Sequence, residues 1–205
     1  LPEKTIDDLT VPAPVSKIVI QPVRNVFTAG EKVRFTTEAT DQYGNAVIDR
    51  EIHGNLMIRD GADWYVSNSW VVKNDGSGKA GFEVEMPTKS GMRCRFKAVN
   101  KEAPCENEIE FALVSGKIGA ILFIPSSGKV DSGSSFGLKA KLLDEFDNPV
   151  IGRKAEIAVL ESTGGDWAIG EQDSAETGED GSVFVIVTPP SEPGATASFT
   201  VKAEG

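Results

Sequence analysis

The stretch DQYGNAVIDR occupies residues 41–50, and DEFDNPVIGR occupies residues 144–153. Ten residues are written almost identically twice, 103 positions apart. Two readings compete for so acidic a repeat. One is a metal site, since calcium binds clustered oxygen ligands. The other is a turn needed once per copy of a repeated domain. Asp and Asn hydrogen-bond their own backbone and tolerate positive φ, and Gly44 adopts positive φ freely. A calcium loop of the EF-hand kind would need more acids and a closing Glu, so Asp41, Gly44, Asn45, Asp144 and Asn148 are read as structural turns. No metal ligand set and no cofactor is assigned.

The same offset extends far beyond the turn. Ile18 meets Ile121, Pro22 meets Pro125 and Gly30 meets Gly133. Asp63 and Trp64 meet Asp166 and Trp167, Gly78 meets Gly181, and Phe96 meets Phe199. Matches at a constant spacing over about 85 residues mean two tandem copies of one domain. Alternation is the second signal. Val33, Phe35, Thr37 and Ala39 interleave with Arg34, Thr36 and Glu38, and Cys94, Phe96 and Ala98 interleave with Arg95 and Lys97. A period of two predicts half-buried strands. Turn clusters such as TAGE, NDGSG, VDSG and PSEPG separate them. About seven short strands per hundred residues predict two immunoglobulin-like β-sandwiches. The expected limits are an arm at 1–15, domain 1 at 16–116 and domain 2 at 117–205.

The order of these parts resembles the bacterial Ig-like domains of the invasin and intimin type. The resemblance is carried by DQYGNAV at 41–47, DGSGKAGFEV at 75–84 and GMRCRFKA at 91–98, and by DEFDNPV, EDGSVFVIV and GATASFTVKA in the second copy. Asp147 stands where that family has Gly. The resemblance implies an extracellular or cell-surface role as spacer, adhesin stalk or subunit of a surface structure. The partners it implies are the chain itself, neighbouring domains, a carbohydrate or a host protein.

Composition narrows the function further. The formal net charge of −10 argues against nucleic acid, whose phosphates need clustered Lys and Arg. No apolar run of about 18 residues predicts a membrane span. One histidine, His53, leaves little for a catalytic triad and is read as structural or solvated. No phosphate-binding loop or acid–base context is evident, so no enzyme is expected. The first residue is Leu1, which suggests a processed product or an excerpt.

Three further expectations concern particular residues. Trp64 and Trp167 recur in both copies and are expected to pack in the core or at its edge. Tyr65 and Trp70 have Ala168 and Asp173 as counterparts, so the fold does not require aromatics there. In WYVSNSW, strict alternation puts Trp64, Val66, Asn68 and Trp70 on one face and Tyr65 and Val71 on the other. One of Tyr65 and Trp70 is therefore expected at the surface, as a ligand or partner contact. For Cys94 and Cys105, an extracellular setting favours a disulfide, whereas hairpin pairing sets Cys94 near Ile109 and opposes it.

The last expectation comes from the ends of the repeat. ENEIEFALV closes copy one, and the sequence given reaches only Gly205, the counterpart of Glu102. Residues 1–15 align at the same offset with 104–118, with Ile6 on Ile109, Val11 on Val114 and Val15 on Ile118. The arm, with Ile6, Leu9, Val11 and Val15 as its apolar residues, is expected to resemble that closing strand. It is thus a candidate for polymerisation by strand donation, unless it is the end of a preceding repeat.

Overall fold

A computed structural model describes residues 13–172 and 175–204. All regular structure among them is β, and the chain divides into two units, each with its own core. The first runs to Pro87 and resumes at Gly91–Leu113, and the second comprises Thr88–Ser90 and the chain from Val114.

The first unit contains β1 (Lys17–Gln21), β2 (Val26–Thr28), β3 (Lys32–Thr40), β4 (Glu51–Asp60), β5 (Asp63–Lys73), β6 (Lys79–Glu85), β7 (Arg93–Asn100) and β8 (Cys105–Val114). A three-stranded sheet, β1-β3-β6, faces a five-stranded sheet, β2-β8-β7-β4-β5. Their alternating apolar residues form one core. Phe35 stacks on Phe96 at 4.4 Å between ring centres, Phe27 and Phe82 pack edge-on against this pair, and Phe111 packs edge-on against Phe27. Val15 is 5% exposed within this core. That corrects its assignment to the arm: Val15 is the inward residue that leads into β1, and Ser16 already donates its N–H to the Thr40 carbonyl at 2.9 Å. The other apolar arm residues, Ile6, Leu9 and Val11, lie outside the described residues.

The second unit contains β9 (Ile118–Ile124), β10 (Phe136–Asp144), β11 (Ala155–Thr163), β12 (Ala168–Ile169), β13 (Ser182–Thr188) and β14 (Thr196–Ala203). One sheet is ordered β12-β13-β10-β9 and the other is the pair β11-β14. At the offset of 103, β13 reproduces β6 and β14 reproduces β7 residue for residue. Even buried polar support is repeated with different chemistry. Asn74 donates to the Val47 carbonyl at 2.6 Å and accepts from Arg50 N–H at 2.7 Å. Its counterpart Thr177 donates to the Val150 carbonyl at 2.6 Å and accepts from Arg153 N–H at 3.0 Å.

The copies part at two places. The counterpart of the long β5 reduces to Ala168–Ile169, which pairs with β13 rather than with β11. The aromatic and β-branched run of β5 becomes AIGEQDSAE, which has little to hold a long strand. No strand among the described residues occupies the place beside β14 that β8 holds beside β7.

The turn residues behave as the repeat requires. Gly44 has φ of 85°, and Asp147 at the same place has φ of 63°. Asp carries a cost there that Gly does not. Asp147→Gly is therefore expected to stabilise the second unit by about 0.5–1 kcal/mol, read as a rise of a few degrees in its Tm.

Candidate functional site

The two acidic turns come first, since they posed the metal question. Asp41 Oδ1 accepts the N–H groups of Tyr43 and Asn45, each at 2.9 Å, and Oδ2 accepts from Asn45 Nδ2 at 3.1 Å. Asp144 repeats this with Phe146 and Asn148, and Gly116 N–H adds a further bond to Oδ2 at 2.9 Å. These oxygens are engaged by backbone and amide donors, all but Gly116 from their own turns. Among the described residues no three His, Cys, Asp or Glu side chains converge on a point. Excess chelator is expected to leave the Tm of both units unchanged, and a fall of many degrees would restore the calcium reading.

The cysteines do not meet. Both are free, and in the β7–β8 ladder Cys94 faces Phe111 while Cys105 faces Asn100. Six residues of strand separate the two rungs, about 20 Å, far beyond disulfide reach. Cys94 is enclosed by the core, which pushes its thiol pKa up to about 11.

The aromatic candidates separate as well. Trp70 packs on the first core, 6.4 Å from Phe96 between ring centres, and is not a surface contact. Tyr65 is 57% exposed, with Val66 and Val71 exposed on the same edge strand β5. A β-bulge explains the split. Val66 faces Met57 and Asn68 faces Leu56, so Ser67 is an extra residue and the phase of alternation flips. Trp64 consequently lies outside the core, with the Arg95 guanidinium 4.3 Å above its ring. Arg95 is held there by ion pairs with Glu108 and Glu110. His53 is half-buried on β4, with Glu51 3.9 Å away.

Trp167, the counterpart of Trp64, does turn inward. It lines a half-open groove of about 700 Å³ in the second unit with Phe123, Phe136, Leu138, Ala197 and Phe199. Its ring lies 6.1 Å from that of Phe199. Its indole Nε1 is buried without a hydrogen-bond partner, a costly condition for a donor. The groove lies over the inner face of β14. In β7 the inward residues Cys94, Phe96, Ala98 and Asn100 are all buried, because β8 with Phe111 and Leu113 closes the sandwich. In β14 the corresponding residues Ala197, Phe199, Val201 and Ala203 are only half-buried. The second core holds nine fully buried residues among those described against nineteen in the first, which marks where its packing is unfinished. The sequence signal for this site was the recurrence of Trp64 as Trp167, which does pack at the edge of the second core; the groove beside it was not legible.

Solved structures share the architecture. The Escherichia coli adhesin FdeC superposes with a TM-score of 0.56 over 91% of this chain, at 16% identity, and this chain spans 60% of that structure. The bacterial integrin-binding protein invasin gives 0.43 over 92% at 17% identity, with 36% of its length spanned. Yersinia pseudotuberculosis InvD gives 0.48 over 92% at 14% identity, with 52% of its length spanned. No protein-family model matches the sequence, and no curated protein matches it. At 16% identity the likeness to FdeC is one of fold alone, tandem Ig-like sandwiches.

Proposed function

We propose that this chain is a non-enzymatic part of an extracellular or cell-surface structure. Its two Ig-like domains serve as a rod or filament subunit, and residues 1–15 of one copy complete the second domain of the next. The observation that carries this reading is that, among the described residues, no strand lies beside β14 and its apolar groove, at the place where β8 closes the first domain. An uncovered edge and a half-open core are costly for a soluble domain, and an added strand satisfies both. Such a contact joins two different surfaces and does not close, so it builds a filament. The fold of known bacterial adhesins supports the surface setting. Sedimentation velocity tests the reading. The full chain is expected to form a ladder of multiples as concentration rises, and a variant lacking residues 1–12 is expected to remain monomeric. The deletion stops there because Val15 belongs to the first core. A full chain of constant monomeric mass would overturn it.

A second reading is an adhesin module that contacts a carbohydrate or a host protein. Its support is the exposed Tyr65 beside Val66 and Val71. Under it, Tyr65→Ala abolishes binding to host cells or glycans while Tm stays constant.

A further inference from the structure

Copy two departs from copy one on the outer face of its four-stranded sheet. We infer that this face docks an acidic polypeptide, whose apolar side chains cover Leu122, Ile124 and Ile186 and whose carboxylates pair with Lys139 and Lys141. None of these residues lines the groove at Trp167, so the surface stands apart from strand donation.

Strand alternation decides what the face presents. Leu138, Ala140, Val183 and Val185 are buried in the second core. Their neighbours Lys139, Lys141, Phe184 and Ile186 therefore point outward, as do Ile124 and Leu122, which lie across from Lys139 and Lys141. β10 runs between β9 and β13, so Ile124, Lys139 and Phe184 form one rung, and Leu122, Lys141 and Ser182 form another. Leu122, Ile124 and Ile186 are 49%, 54% and 44% exposed. Apolar side chains scattered singly over a surface need no explanation, but a cluster on adjoining strands marks a contact surface.

The fold does not demand this cluster. At the offset of 103, Leu122, Ile124, Phe184 and Ile186 match Val19, Gln21, Gly81 and Glu83. Copy one thus builds the same strands with a polar outer face, on which Arg34 meets Glu83 at 3.6 Å. What the copies share is a large side chain laid over a glycine. In copy one the Arg34 guanidinium covers Gly81, where a Cβ would meet it at 3.1 Å. In copy two the Phe184 ring covers Gly137, where a Cβ would meet it at 2.7 Å. Phe184 therefore has a packing role. Nothing in that exchange calls for Ile where copy one has Gln21 and Glu83.

Charge selects the occupant. The chain carries a net charge of −10, yet Lys139 and Lys141 are the only charged residues at the outward positions of 120–124, 137–141 and 182–186. Lys139 pairs with Asp180 at 3.3 Å, and Lys141 has no ion pair among the described residues. Two cations about 7 Å apart on one strand match two carboxylates on a facing strand or helix. Such pairing also rejects partners of the wrong sign. A second copy that met the same face would set lysines against lysines. Two lysines are too few to hold an anionic membrane against the net charge of the chain.

The test titrates the labelled full chain, at low salt, with two synthetic helical peptides that share one leucine stripe. The stripe is flanked by Glu in one peptide and by Lys in the other. The variants I124Q/I186E and K139T/K141E carry the residues of copy one, which the fold accepts, and melting of both domains checks their folding. The Glu peptide is expected to shift the methyl signals of Leu122, Ile124 and Ile186 saturably in NMR spectra. It is expected to bind about tenfold more weakly to I124Q/I186E and about fivefold more weakly to K139T/K141E. The Lys peptide is expected to bind the wild type about tenfold more weakly than the Glu peptide. Equal binding of the two peptides, shifts confined to other surfaces, or no shift at all would overturn the acidic partner. Sedimentation equilibrium covers the remaining occupant: if I124Q/I186E abolishes association between copies, the face binds a second copy and the acidic partner is likewise overturned.

Discussion

Replacing Phe96 with alanine is expected to cost the first domain about 3–5 kcal/mol, while the same change at its counterpart Phe199 costs the second domain about 1–2 kcal/mol. Both residues stand at the same place on matching strands. Phe96 is 0% exposed and touches the rings of Phe35, Phe82 and Trp70. Its removal leaves a cavity between two sheets that cannot collapse onto it. Phe199 is half-exposed and borders the groove, so water already reaches part of its ring. Single domains hold about 5–15 kcal/mol in all, so the first change consumes much of that margin. Urea unfolding of the two variants, below the concentration at which copies associate, measures both losses. Equal losses would mean that Phe199 is as enclosed as Phe96, and that the groove is closed in solution.

Asp144→Ala is expected to destabilise the second domain by about 3 kcal/mol or more. The carboxylate is buried and accepts from Phe146, Asn148 and Gly116 N–H groups and from the Asn148 amide. Alanine leaves those donors without acceptors in a turn that water cannot fully enter. Burial alone would raise the Asp144 pKa, but the bonds from Gly116, Asn148 and Phe146 outweigh it and hold the group below its ordinary value. A depressed carboxylate stabilises the fold above its unfolded pKa, about 3.9. That contribution is lost as pH falls from there through the folded value. The Tm of the wild type should therefore drop more steeply than that of Asp144→Ala below about pH 4. Parallel curves would contradict the assignment. Asp41, held down chiefly by the Asn45 side-chain bond, should act in the same direction in the first domain.

Much of this was legible in the sequence because the repeat and the alternation are local signals. The D-x-x-G-N turn dictates its own geometry, and Asp147 adopts the left-handed conformation of Gly44 because Asp tolerates it. The same alternation misplaced the tryptophans, because Ser67 forms a bulge. A bulge is a property of the pairing with β4, not of the residues in WYVSNSW. The pairing of β12 with β13 rather than with β11 likewise leaves no mark in Ala168 and Ile169 themselves. The arm residues Ile6, Leu9 and Val11, aligned with the closing strand at the offset of 103, lie outside the described residues. Trp167 shows the same limit, since of two tryptophans matched in sequence Trp64 lies under the Arg95 guanidinium and Trp167 packs on the second core.

Hydrogen exchange along β14 tests the central claim most directly, since half of that strand's amides point away from β11. At concentrations where copies associate, the account predicts that the amides of Thr196–Ala203 on the free side become protected to the level of those facing β11. On dilution that protection should be lost while the β11-facing amides remain slow. Free-side amides that exchange rapidly at every concentration would contradict it.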